Sequence, residues 1–416
     1  MTEQTVAIVG FGTAGVNAAI ALRGAGYEGR IVAITRGPAV PYSPILTSYY
    51  AGGQKSFEEC FPWTAEEIDC LNVDIIEHCE VDSIDVNARC LRTSRGDFAY
   101  DKCLIATGSD PVTRGFPQVE GFEPLTLRSM EDAERLKRVA EDPACKRVLV
   151  SGASMVALKT LEACVLRGLE VTLVGMMPHV LDMNALPVAA ERFERGLSNM
   201  GVALKLGTTI ASVEVISDAE GFEGRRLEVT FANGDVERFD HISVAHGMRS
   251  NLGFIPQGAL EIDRALLVDP YMRTSDPHVY AAGDVAQALE LISGERSIVG
   301  IWKNAAVQGA CAGRAIVYEL ASREIPESFA YAGSISTNTI VVGDLLFISA
   351  GTIKLTEGRR VEVREDDDML VAHIYEGSRL VGFNLVCDNT SARGVAYDTG
   401  GMLTIRIIGG LAGARP

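Results

Sequence analysis

The chain contains no CxxC pair, although it has nine cysteines, at positions 60, 70, 79, 90, 103, 145, 164, 311 and 387. So odd and scattered a set excludes a disulfide framework and reads as reduced thiols. The local group Cys60, Cys70, Cys79 and Cys90 lacks the short-spaced pairs that zinc and iron–sulfur sites use. The six histidines include no HxH or HxxxH pairing, so no metal site is expected. No apolar run reaches the roughly 18 residues of a membrane helix, and no membrane span is expected. A first strand beginning near Thr5 leaves no room for a leader with a basic start and an apolar core, so the expected compartment is the cytoplasm. Basic charge is short as well: 38 Lys and Arg face 55 Asp and Glu, and a net charge of −17 speaks against nucleic acid as a partner.

What is present is the composition of a globular α/β protein, with 47% hydrophobic residues and 42 glycines in 416 positions. That length exceeds one hydrophobic core and predicts two to three domains. A strand, turn, helix, strand pattern runs from Thr5 to Thr35, and a second from Arg147 to Val174. Short strands are expected at Cys103 to Ala106 and Val279 to Ala282, and a helix over Asn304 to Glu319. Two such units imply two doubly wound, Rossmann-like domains. After about Ile325 the period changes. Arg360 to Arg364, Met369 to Tyr375 and Arg379 to Val386 read as antiparallel strands joined by polar turns, which makes a third, small α+β domain. The acidic run Glu365 to Asp368 reads as one of those turns.

The segment VAIVGFGTAGVNAAIALRGAG places Gly10, Gly12 and Gly15 in GxGxxG spacing between an apolar strand and an Ala-rich helix. Gly10 permits the tight turn, Gly12 lets the backbone, with Thr13 and Ala14, approach a pyrophosphate, and Gly15 lets helix and strand pack closely. An acid that accepts from ribose hydroxyls belongs at the end of the second strand. The sequence there reads Ile34, Thr35, Arg36, Gly37, and Glu28 stands at the strand's other end. Either Thr35 and Arg36 contact the adenosine differently, or the pyrophosphate carries the binding.

Together with LIATGSDP at Leu104 to Pro111, AHGMRSN at Ala245 to Asn251, VYAAGDVA at Val279 to Ala286 and WKNAAVQG at Trp302 to Gly309, this turn resembles the FAD-dependent pyridine nucleotide–disulfide oxidoreductases. The likeness is to the branch of ferredoxin-type reductases and NADH oxidase-like or coenzyme A-disulfide reductase-like flavoproteins. The resemblance implies an FAD-binding domain at residues 1–110 and 248–324, an NAD(P)-binding-like domain at 111–247 and an interface domain at 325–416. It further implies that Asp284, with Gly283 beside it, meets the ribityl or pyrophosphate part of FAD. Thr107 and Gly108 would line the same site, and Trp302 would lie near the isoalloxazine ring, with Tyr42, Tyr49 and Tyr50 as further flanking aromatics. Partners implied are a redox protein or complex, in a homo-oligomer or as a subunit of a hetero-oligomer.

Two departures stand against the family pattern. In VLVSGASMVALKT the first glycine is Gly152, but the next positions hold Ser154 and Ala157, and the family's glutamate is replaced by Lys159. The acid after the following strand is replaced by Val174 and Gly175, so NAD(P)H is left open as a ligand of the second site, through Gly152, Ser154 and Lys159. The redox cysteine of the thiol-using branch is replaced by Ile45 in Tyr42, Ser43, Pro44, Ile45, and the lysine of the ferredoxin-reductase branch by Thr47. Three functions fit: an NAD(P)H-dependent flavin reductase without a thiol relay, an FAD-containing electron-transfer subunit of a larger complex, and a non-enzymatic nucleotide-binding protein.

Overall fold

In the computed structural model, which describes residues 4–412, the chain divides into two units. The first comprises Met1–Ser43, Glu58–Asp110 and Met248–Ile335, and the second Pro44–Phe57, Pro111–Gly247 and Ser336–Pro416.

In the first unit the strands TVAIV and RIVAI are apolar at nearly every position, the mark of a parallel sheet covered on both faces. Five parallel strands lie in the order Val279–Ala281, Lys102–Ile105, Thr5–Val9, Arg30–Ile34, Asp74–Ile76. Ile8 stands opposite Ala33 on one side and Leu104 on the other. Strand order therefore reverses at Thr5–Val9, and the crevice at such a switch point is where open α/β sheets bind ligands. The helices Thr13–Gly24 and Trp302–Leu320 pack at backbone distance. A Cβ on Gly309 would lie 2.1 Å from the Ala14 carbonyl oxygen, and one on Gly313 would lie 2.5 Å from that of Ala18. The stretch between Thr35 and Cys103, which shows no clear period in sequence, supplies the edge strand Asp74–Ile76. It also supplies a three-stranded antiparallel sheet, Val81–Asp85, Cys90–Thr93 and Gly96–Ala99.

The second unit repeats the plan. Four parallel strands run Ala203–Leu206, Glu170–Gly175, Arg147–Ser151, His241–Val244, beside an antiparallel sheet of Ile210–Ser217, Arg225–Phe231 and Val236–Phe239. Its C-terminal part is a five-stranded antiparallel sheet in the order Thr337–Val342, Leu345–Gly351, Arg379–Cys387, Met369–Glu376, Arg359–Glu365, with the helix Arg393–Ala412 against it. Asp366, Asp367 and Asp368 of the acidic run form the turn between Arg359–Glu365 and Met369–Glu376, where Asp366 Oδ1 accepts from the amides of Asp368 and Met369. Arg192, almost wholly buried, secures that turn through Glu365, Asp388 and the carbonyls of Asp366 and Asp367. No helix among the described residues is long and apolar enough to cross a membrane.

Candidate functional site

The first glycine turn is built by steric necessity. Gly10 has φ +93°, and a Cβ there would sit 2.3 Å from the Ala106 carbonyl oxygen. Its amide donates to Ile34 O at 2.8 Å, which ties the turn to the second strand. A Cβ on Gly15 would lie 2.3 Å from Gly10 O. Gly12 differs from both. Its φ is −80°, and a Cβ on it would meet nothing within 4 Å. Gly12 is also the N-cap of the helix, no side chain caps that end, and its first turn holds no acid. Gly12 thus opens onto free space at the uncapped, positive end of the helix dipole, an arrangement suited to an anion.

The other wall comes from segments distant in sequence. Thr107 Oγ1 donates to Asn251 O at 2.7 Å, and the Asn251 side chain returns a bond to Thr107 O at 3.2 Å. The Asn251 amide donates to Gly108 O at 2.9 Å. Ser250 Oγ donates to the Asp284 carbonyl at 2.6 Å, and Ser109 Oγ to the Asp284 carboxylate at 2.7 Å. Gly283, with φ +82°, donates its amide to Gln308 Oε1 at 2.8 Å. Asp284 is therefore held at its carboxylate by Ser109, at its carbonyl by Ser250 and, through Gly283, by Gln308 of the helix Trp302–Leu320. Ser109, Ser250, Asn251 and Gln308 do this positioning; each lies inside a motif quoted above, but only the fold shows that they converge.

At the end of Arg30–Ile34 the Thr35 hydroxyl accepts from Gly37 N at 3.2 Å, while Arg36 forms a fork with Asp110 at 2.7 and 2.9 Å and reaches Glu80 at 3.4 Å. The hydrogen bonds to Asp110 raise the Arg36 pKa. Both partners are about half exposed, so the pair is worth at most about 1 kcal/mol. The fork does bring a carboxylate, Asp110, to the strand end from which the ribose acid is missing.

The second glycine turn has the same backbone and a different end. Gly152 keeps φ +123°, and a Cβ there would be 2.4 Å from Ala245 O. The helix Met155–Leu166, however, is capped by its own residue: the Ser154 hydroxyl accepts from Ala157 N at 3.4 Å. Lys159 forms an ion pair with the buried Glu162, donates to Val341 O at 3.2 Å and lies 3.9 Å from the centre of the Tyr49 ring.

A family model described as pyridine nucleotide-disulphide oxidoreductase matches residues 4–309, a span that holds both glycine turns and Asp284. The chain belongs to this family. Rubredoxin-NAD(+) reductase of Pseudomonas putida is 32% identical over 296 residues, covering 70% of this chain and 74% of that protein. NADH-dependent phenylglyoxylate dehydrogenase subunit epsilon of Aromatoleum evansii is 27% identical over 362 residues, 86% of this chain and 82% of that one. Among solved structures, an NAD-dependent persulfide reductase from A. fulgidus superposes with a TM-score of 0.84 at 24% identity. It covers 98% of this chain and 77% of that one, a likeness of fold that extends through the C-terminal domain. This pyridine nucleotide-disulphide oxidoreductase is an FAD-dependent enzyme, and the non-enzymatic reading falls away.

The residues of the first site fit FAD: an uncapped helix end faces open space at Gly12, and a carboxylate is held rigidly at Asp284. Of the aromatics, Trp302 begins its helix and stacks on Trp63, with ring centres 5.9 Å apart and planes at 29°. Trp302 Nε1 is buried without a hydrogen-bond partner. Trp63, invisible to motif reading, is the neighbour that the fold gives it. Tyr42 meets Phe61 edge-on at 6.4 Å. Tyr49 and Tyr50 belong to the second unit, in the short helix Thr47–Ala51, where Tyr50 bonds to Glu134 and Lys137. Ile45 is exposed, and the Thr47 hydroxyl donates to Pro44 O at 2.8 Å. Seven of the nine cysteines are buried, the exceptions being exposed Cys70 and half-buried Cys90. Burial pushes the thiols of Cys145 and Cys164 up to about 12 and that of Cys311 to about 11, so they stay protonated at neutral pH.

Proposed function

We propose that this flavoprotein is a reductase that takes electrons from NAD(P)H into FAD and passes them to a redox protein, with no cysteine in the relay. The observation that carries the reading is the first glycine turn, whose uncapped helix end and rigid Asp284 are suited to hold the flavin dinucleotide. FAD supplies hydride and single-electron chemistry when bound, and the protein supplies position and electrostatics. Gly10, Gly12, Thr13, Ala14 and Gly15 would hold the pyrophosphate, Thr107, Gly108, Gly283 and Asp284 would line the rest, and Thr35, Arg36 and Asp110 would meet the adenosine end. The stack of Trp302 on Trp63 would supply an apolar wall. Ile45 at the place of the redox cysteine, together with the burial of most thiols, supports transfer without a disulfide. A protein acceptor is supported by the relative named for rubredoxin.

Anaerobic addition of NADH or NADPH to the purified holoprotein tests the proposal through the absorbance of oxidised flavin. Bleaching by either donor is expected, and recovery on adding an oxidised rubredoxin or ferredoxin follows. Absence of bleaching with both donors favours a second reading, in which the chain is the FAD-carrying subunit of a larger redox complex and its second nucleotide fold is structural. Ser154 capping the second helix and the relative named as a subunit of a dehydrogenase support that reading. Purification at native abundance would then bring other redox subunits with it.

A further inference from the structure

We infer that the second nucleotide site takes NADH and NADPH without strong preference; the inference rests on the NAD(P)H-driven reading above. The two dinucleotides differ only at the adenosine 2′ position. An acid at the end of the second strand accepts from the free ribose hydroxyls and repels a 2′-phosphate, while an arginine or lysine there attracts the phosphate. The strand Glu170–Gly175 ends in neither, since the chain continues Gly175, Met176, Met177, Pro178. Gly175 admits no side chain without local movement, because a Cβ there would lie 3.0 Å from Ala153 Cβ and 3.2 Å from Leu206 Cδ2. Met176 and Met177 are exposed, the former at 71%. The loop that follows turns back to the glycine turn, where Leu181 N donates to Ala153 O at 2.8 Å. Two uncharged, flexible thioether side chains therefore stand where discrimination is normally made.

The cations of the surrounding elements are already engaged. Lys159, from the glycine helix, is bound to Glu162 and Val341 O and covers Tyr49. His179, in the loop itself, meets Glu194 Oε1 at 3.2 Å. Lys205, from the neighbouring strand, bonds Asp235 at 3.1 Å and Glu237 at 2.9 Å. On the helix Pro187–Asn199, Arg192 is held by Asp388 and Glu365, and Arg195 lies 3.5 Å from Glu365. The loop's own carboxylate, Asp182, comes after Leu181, beyond the point where the chain has returned to the turn. Among the described residues no acid stands at Gly175, Met176, Met177 or Pro178, and each of these cations has a carboxylate partner, so the contacts that remain are those the two dinucleotides share.

Calorimetric titration of the oxidised holoprotein with NAD⁺ and with NADP⁺ reads affinity without turnover. Dissociation constants within about tenfold of each other are expected for the natural chain. Because Met176 is exposed, substitutions there leave the fold intact. Met176→Glu should shift the ratio toward NAD⁺ by about tenfold or more, and Met176→Arg toward NADP⁺ by a similar factor. A preference of the natural chain beyond about tenfold for either nucleotide overturns the inference and leaves the NAD(P)H-driven reading standing. Failure of both nucleotides to bind the natural chain and both variants overturns the reading itself.

Discussion

Gly10 and Gly12 stand two residues apart in the same turn, yet the structure assigns them different work, and substituting each by alanine separates the two. At Gly12 the backbone is in a region open to any residue and a Cβ meets nothing, so the protein itself has no objection to alanine. Alanine is a poorer N-cap than glycine by up to about 1 kcal/mol, while the reduced freedom of the unfolded chain returns about 0.4–1 kcal/mol. The net effect on the flavin-free protein is close to zero. The new methyl instead occupies the space through which a pyrophosphate reaches the helix N–H groups. A charge-assisted hydrogen bond is worth roughly 1.5–3 kcal/mol, so FAD affinity should fall about ten- to a hundredfold for each bond lost. At Gly10 the same substitution places an L-residue at φ +93° with its Cβ 2.3 Å from Ala106 O. The left-handed backbone costs about 1–2 kcal/mol and displacement of the carbonyl roughly 1–3 kcal/mol more. The flavin-free protein should then melt roughly 5–15 °C lower. Thermal melting of the deflavinated variants, followed by FAD titration read by flavin fluorescence, measures both quantities. A Gly12→Ala protein that melts far below the natural one, or that binds FAD with unchanged affinity, would refute the argument that this glycine faces a ligand.

Three further outcomes are expected. Ellman's reagent on the folded protein should titrate Cys70 fast and Cys90 slowly, while the seven buried thiols react only after unfolding; prompt reaction of Cys60 would reopen a thiol role. His241 is buried against the edges of Phe122 and Phe222 with both ring nitrogens unpartnered, and desolvation lowers its pKa to about 3. A folded pKa below the unfolded value means that its contribution is complete above about pH 6.5 and is lost as the pH falls toward 3, at about 1.4 kcal/mol per unit. Urea unfolding at pH 7 and pH 5 should show His241→Phe spared about 2 kcal/mol of the acid loss that the natural chain suffers, and parallel pH curves for the two proteins would contradict the burial argument. Ser154→Gly should cost only a few tenths of a kcal/mol in stability and tighten NAD⁺ binding, since the helix end loses its internal cap; unchanged affinity would show that the hydroxyl does not compete with the nucleotide.

Local pattern was enough where the chemistry is local. The apolar strand before Gly10, the Ala-rich helix after it and the spacing of Gly10, Gly12 and Gly15 state a nucleotide turn in consecutive residues, and so do Gly152 and its degraded neighbours. The strands expected at Arg360 to Arg364, Met369 to Tyr375 and Arg379 to Val386 are found one residue longer at one or both ends, at Arg359–Glu365, Met369–Glu376 and Arg379–Cys387. Alternating or continuous apolar residues carry that information over short distances. The helix Arg393–Ala412 was not legible, because its five glycines, 394, 400, 401, 409 and 410, each cost about 1 kcal/mol of helix propensity. Tertiary packing overrides them: Ala396, Leu403 and Ile407 are buried, and a Cβ on Gly400 would lie 2.8 Å from Ile348 Cδ1, so the helix approaches the sheet closely at this glycine.

By itself, then, the sequence determined that two dinucleotide folds are present, and that the first turn carries Gly10, Gly12 and Gly15 where the second carries Gly152, Ser154 and Ala157. Only the tertiary structure decided which charges are free to act. It gives Arg36 to Asp110 and Ser109 to Asp284, pairs 74 and 175 positions apart. Such pairings follow from how sheets and helices stack, and no periodicity along the chain encodes them. The first helix end is left open and the second is capped locally by Ser154, a difference of one hydroxyl that its place at the nucleotide turn makes meaningful.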